Sequence, residues 1–309
     1  INAYGPGPFA VTNSVTPTAP STRGLFGGGQ SASITAVITY IDVNTTGNAT
    51  SFGNLTAGRN GLAACASSTL GLFGGGYIAA SSNIIDYVTI ASTGNATDFG
   101  DLTVATYWLA SCSSSTRGLF AGGYSAANVV SYVTIATTGN ATYFGGLTYS
   151  QLDGSGCGSS TRGLFGATAG AAYNVIQYVT IATTGTALYF GALTLGRFDN
   201  AAFSNSTIGL FAGGLDSANN RVNVIDYVTI STTGNATDFG DLTVARTQLA
   251  GCASSTRGVI GGGVDASSVK VNVLDYVTIA STGNATDFGD LTAGTAALAS
   301  CSNGHGGLA

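Results

Sequence analysis

The chain has 309 residues, of which only 7% are charged, and a formal net charge of −5 at pH 7. That length suits one large core or two small ones, but the charged fraction is far below the roughly 25% of an average soluble protein. With no Glu, no Met, a single Lys (Lys270) and 47 Gly, it lacks the residues that clothe helix surfaces, which excludes helical bundles, coiled coils and long-helix α/β folds. So few cations also argue against nucleic-acid binding, which needs a positive footprint. No apolar run approaches the roughly 20 residues of a membrane-spanning helix, so no membrane insertion is expected.

In chain order, residues 1–23 come first. They hold all four prolines (Pro6, Pro8, Pro17 and Pro20) and read as an extended lead-in or linker. The start at Ile1, with neither an initiator methionine nor a signal peptide, reads as a processed end or an internal boundary. From residue 24 onward the chain repeats itself. Gly-Leu-Phe begins at Gly24, Gly71, Gly118, Gly163 and Gly209, becomes Gly-Val-Ile at Gly258, and returns truncated at Gly307. The spacings of 47, 47, 45, 46, 49 and 49 define six repeats.

Each repeat holds four short apolar stretches separated by turn residues. Around Gly71 these are Leu62–Cys65, Gly71–Phe73, Ile84–Ile90 and Thr97–Thr103. Stretches this short, rich in β-branched and aromatic residues, read as strands. The Gly-Asn pair between the third and fourth, as in Thr93–Ala96, suits the positive φ angles of a tight hairpin. Four antiparallel strands at this period predict a propeller blade. Residues 1–23 contain no first strand for the first repeat, whereas Ala297–Cys301 supplies one at the other end. The expected fold is therefore an all-β, six-bladed propeller over residues 24–309, its ring closed by a C-terminal strand that leaves no exposed sheet edge.

The order of parts resembles the kelch repeat. Its Gly-Gly stands at Gly27-Gly28, Gly74-Gly75, Gly122-Gly123, Gly213-Gly214 and Gly261-Gly262, while repeat four reads Gly166-Ala-Thr168. A third-strand Tyr stands at Tyr87, Tyr132, Tyr178, Tyr227 and Tyr276, with Tyr40 nearby in repeat one. The fourth-strand aromatic is Phe52, Phe99, Phe144, Phe190, Phe239 or Phe288, and an Arg follows at Arg59, Arg197 and Arg246. The phrasing Val-Thr-Ile-Ala-Ser-Thr-Gly-Asn-Ala-Thr-Asp-Phe-Gly-Asp-Leu-Thr also resembles repeat-bearing virion structural proteins of marine tailed phages. That second resemblance implies a virion location, in the tail or on the capsid, with other virion proteins or a host-surface glycan or protein as partners.

The five cysteines (Cys65, Cys112, Cys157, Cys252 and Cys301) each precede a marker glycine by six residues. Equivalent positions in separate blades are too far apart for a disulfide, so they read as buried free thiols, suited to assembly in a reducing compartment. Asp98/Asp101, Asp238/Asp241 and Asp287/Asp290 read as turn-forming acids or as cation-holding pairs. Asn48, Asn95, Asn140, Asn235 and Asn284 sit in sequons and read as hairpin-turn residues. Arg23, Arg117, Arg162 and Arg257 stand in first turns, either as solvated cations or as a partial anion-binding ring. His305 reads as an exposed turn histidine with no acid–base partner. No catalytic set, cofactor or metal site is expected.

One face of the ring carries near-constant turns, Ser-Ser-Thr-Arg and Thr-Gly-Asn-Ala. The opposite face carries variable loops, where recognition usually resides. Its aromatic and basic residues, of the types favoured at interface hot spots, are the binding candidates: Tyr77, Tyr107, Trp108, Tyr124, Tyr149, Tyr173, Arg197, Phe198, Arg221 and Lys270. The expected function is a non-enzymatic virion structural or appendage protein engaged in attachment. Its rivals are a secreted or cell-surface carbohydrate-binding propeller and a propeller enzyme, the latter requiring acids gathered in the central channel.

Overall fold

The computed structural model describes residues 22–168 and 173–308, so nearly all of the lead-in expected over residues 1–23 lies outside them. The described residues form six four-stranded antiparallel sheets arranged as a six-bladed propeller. Their one helical element is the short 3-10 turn Gly306–Leu308, and no helix among them is long and apolar enough to cross a membrane. Blade two runs from the inner strand Ala63–Ala66 through Leu70–Gly74 and Ile84–Thr89 to the outer strand Thr97–Asp101. Blade one takes Arg23–Gly27, Val37–Asp42 and Thr50–Asn54 from the start of the chain. Its inner strand, Ala299–Ser302, comes from the end, pairing Gly24 with Ser302 through Gly27 with Ala299. Tyr40 stands opposite Leu25 as Tyr87 stands opposite Leu72, so repeat one carries its tyrosine in register.

Blades bury both faces, which explains why a third strand such as Ile84–Thr89 has two successive buried residues, Ile85 and Asp86. A β-bulge in the ladder between the third and fourth strands recurs at the same place in every blade; in blade two it leaves Phe99 of the fourth strand as the extra residue between the partners of Ile85 and Asp86. Apolar side chains collect in six clusters, one between each pair of neighbouring blades. The cluster of Phe26, Ile41, Val43, Cys252, Val259 and Phe288 packs blade six on blade one.

The constant residues of the repeat are used at these junctions. Each inner-strand thiol sits over the marker glycine of the next blade; Cys301 Sγ lies 3.1 Å from where a Cβ on Gly71 would stand. In blade five Phe203 takes the thiol's place over Gly258. The five cysteines are buried and free, and burial pushes Cys157 and Cys301 up to about 12. The glycine of each fourth-strand Phe-Gly pair meets the hairpin of the next blade, Gly53 against Gly94 and Gly289 against Gly47 among them.

Several sequence expectations change at these contacts. The hairpin asparagines do not adopt positive φ; Asn95 Oδ1 instead accepts a hydrogen bond from Asn54 N (3.1 Å), and Asn48 Oδ1 one from Asp290 N (3.0 Å). The Asp-Phe-Gly-Asp acids lie within the outer strands Thr97–Asp101, Thr237–Asp241 and Thr286–Asp290, not in turns. The first-turn arginines do not float in solvent. Arg23, Arg117, Arg162 and Arg257 lie 4.4–4.7 Å over Tyr40, Tyr132, Tyr178 and Tyr276, and Arg23 Nη1 donates to Ile90 O of the next blade at 3.0 Å.

Candidate functional site

The inner strands enclose a central channel, and its two ends differ. At the constant-turn end the residues around His305 cover the opening. His305 Nε2 donates to Ala66 O (2.8 Å) and Nδ1 accepts from Gly307 N (3.1 Å), which fixes a neutral imidazole with its proton on Nε2. Burial lowers its pKa, with the bond to Ala66 opposing. His305 is therefore half-buried and bridges to another blade; it is not the exposed turn residue expected.

The other end opens on the variable-loop face as a cavity of about 100 Å³. Its rim is a circle of six equivalent residues: Gly61, Trp108, Asp153, Asp199, Gln248 and Ala297. All six have φ between 54° and 59°. Their backbones are linked head to tail. Trp108 N donates to Gly61 O, Asp153 N to Trp108 O, Asp199 N to Asp153 O, Gln248 N to Asp199 O, Ala297 N to Gln248 O and Gly61 N to Ala297 O, at 2.6–3.1 Å. A residue with a Cβ loses about 1–2 kcal/mol in this conformation, yet five of the six positions are not glycine.

The cavity is acidic, and the described residues that line it include no cation. Burial pushes the Asp153 carboxyl up to about 6. Burial and the neighbouring Asp153 carry Asp199 to about 8, against the effect of a hydrogen bond with Gln248. The three buried acids elsewhere each have an arginine: Arg59–Asp86 (2.8 Å), Arg197–Asp226 (2.9 Å) and Arg246–Asp275 (2.7 Å). Among the described residues neither Asp153 nor Asp199 is ion-paired, and no three metal-ligating side chains come together.

Beside the mouth the structure gathers some of the expected binding residues. Tyr107 stacks on Tyr124 (5.0 Å between centroids) and meets Tyr77 edge-on (5.2 Å), a ladder bridging blades two and three. Tyr124 is 68% exposed. Tyr107 directly precedes Trp108 of the rim, which places this ladder next to the acidic mouth; desolvation, Tyr124, Tyr77 and Asp153 all raise its phenol pKa. Tyr173 and Phe198 pair at 5.8 Å. Tyr149 stands apart from the ladder, its backbone held by the Gln177 amide.

Arg197 corrects the sequence reading. It is fully buried, ion-paired to Asp226 and bonded to Phe211 O (2.9 Å), so it is unable to serve on a binding face. Arg221 and Lys270 lie at the face but tie blades together, Arg221 Nη2 to Ser268 Oγ (3.2 Å) and Lys270 Nζ to Ser31 O (2.7 Å). Asp153 and Gln248 were not among the expected site residues. The signal for them is positional: all six mouth residues stand ten positions before a marker glycine. The chain matches no protein-family model and no curated protein.

Proposed function

We propose that this chain is a non-enzymatic, kelch-like propeller that serves as a virion structural or appendage protein of a tailed phage. Its variable-loop face engages another virion protein or a host-surface glycan or protein, and the ring is closed by its C-terminal strand. The observation that carries the reading is the division of labour between residues. The constant ones are used between blades, whereas the aromatic ladder Tyr77–Tyr107–Tyr124 stays open on the face where loops vary. Stacked aromatics offer wide contact area at little conformational cost. A secreted or cell-surface carbohydrate-binding module is the second reading, favoured by the Trp108-bearing mouth. Competition tests the recognition face. The purified chain should block adsorption of the source particle to its host, and Tyr107→Ala with Tyr124→Ala should remove that block. Full competition by the double variant would overturn it.

A further inference from the structure

The mouth positions favour glycine, and the chain supplies glycine only at Gly61. The others hold side chains in a conformation that L residues seldom adopt, and such outliers gather at ligand sites. Their N–H and C=O groups are committed to the hydrogen-bonded circle. What remains for a ligand is one indole, one amide and two carboxyls around a cavity. We propose that this mouth is a subsite for one neutral sugar residue of a surface glycan, with Trp108 as the platform for its C–H face and Asp153, Asp199 and Gln248 as partners for its hydroxyls. The inference rests on the recognition-face reading above and names the ligand at the centre of that face.

The chemistry favours a sugar over a cation. A hard cation takes about 6–8 oxygen ligands, whereas the mouth has two carboxyls and ring carbonyls that already accept hydrogen bonds. With its pKa near 8, Asp199 carries a proton at neutral pH, so it can donate to one sugar hydroxyl oxygen as well as accept from another hydroxyl. The indole adds a broad apolar surface beside these few polar groups, the usual composition of a small-molecule site. Gly61 makes room for it: Trp108 Cδ2 would lie 3.1 Å from a Cβ there.

The chain's own repeats supply variants compatible with the fold. Trp108→Ala and Gln248→Ala introduce the residue that stands at Ala297, and Trp108→Gly the residue at Gly61. The probe is an array of neutral hexose and N-acetylhexosamine oligosaccharides, followed by titration calorimetry on the whole chain with and without calcium. Wild type should bind at least one oligosaccharide. Affinity should fall about tenfold or more in Trp108→Ala, Trp108→Gly and Gln248→Ala, and stay unchanged in Tyr189→Ala on the outer strand of blade four. Unchanged affinity in the mouth variants overturns the subsite, as does calcium binding without any sugar. If the Tyr107→Ala/Tyr124→Ala chain loses host competition while Trp108→Ala keeps it, the subsite falls and the recognition face stands. If wild type neither binds an oligosaccharide nor competes for the host, both fall.

Discussion

In three of the six repeats a buried aspartate is matched by a buried arginine. Asp86, Asp226 and Asp275 are fully buried, and each accepts from an arginine in the link before its own blade. Thr56, Thr194 and Thr243 add a second donor at 2.6 Å. Where the link lacks arginine the third strand lacks aspartate: Thr106 goes with Ser131, Gln151 with Gln177, and Thr295 with Thr39. Burial holds the three guanidinium groups below the ordinary arginine value, and the paired acids oppose that shift. Removing one partner strands the other, at about 3–5 kcal/mol. Arg246→Thr and Asp275→Ser should each lose about that much stability in urea melts. The double variant, which copies the Thr106/Ser131 arrangement, should lose clearly less than the sum; strict additivity would contradict the pairing. Asp199 gives a pH signature. Its carboxyl titrates near 8 when folded against an ordinary 3.8, so between those values the folded chain holds the extra proton. Stability therefore falls as pH rises through that window. Asp199→Asn should melt higher than wild type above about pH 8, with the gap narrowing toward about pH 4. A pH-independent gap would refute the raised carboxyl.

At the scale of strands and hairpins, close approach between blades explains which repeat residues stay constant. A Cβ on Gly240 would land on the backbone of Gly283, in the hairpin of the next blade, whereas one on Gly234 would meet nothing within 4 Å. Gly240→Ala should cost roughly 1–3 kcal/mol, both by forcing that hairpin away and by placing a Cβ at a φ of 147°, while Gly234→Ala should stay within about 0.5 kcal/mol of wild type. Equal effects in denaturant melts would contradict the contact. The same distinction marks what could be read in advance. Strands were legible because apolar runs and turn residues alternate locally; Leu62–Cys65 became Ala63–Ala66, and Ile84–Ile90 became Ile84–Thr89. The two-residue ribbons Arg197–Phe198 with Leu215–Asp216 and Arg246–Thr247 with Val264–Asp265 were not, since pairs so short have no periodicity. Asn95 looked like turn chemistry because its partner, Asn54, lies 41 residues away. Arg197 looked exposed because its partner, Asp226, stands 29 residues ahead. Asp153 and Gln248 escaped notice because their repeat conserves a position and a backbone conformation while changing the side chain.

Across the whole molecule these contacts add up to two unlike ends. The constant turns dock blade on blade, and residues around His305 cover the channel there. The variable loops surround an open mouth, with the Tyr77–Tyr107–Tyr124 ladder at its side. A scaffold this repetitive separates stability from recognition: thiols, Phe-Gly pairs and hairpin asparagines hold the ring, and loop residues remain free to differ. We propose that the loop face is the working face of a particle-borne propeller. Cryo-electron microscopy of the native source particle tests it most directly. Six-bladed density is expected on the tail or capsid, with the loop face turned outward or seated on a partner and the His305 end free of ligand. A particle without this chain, or one that holds the propeller with the loop face empty and the His305 end engaged, would contradict it.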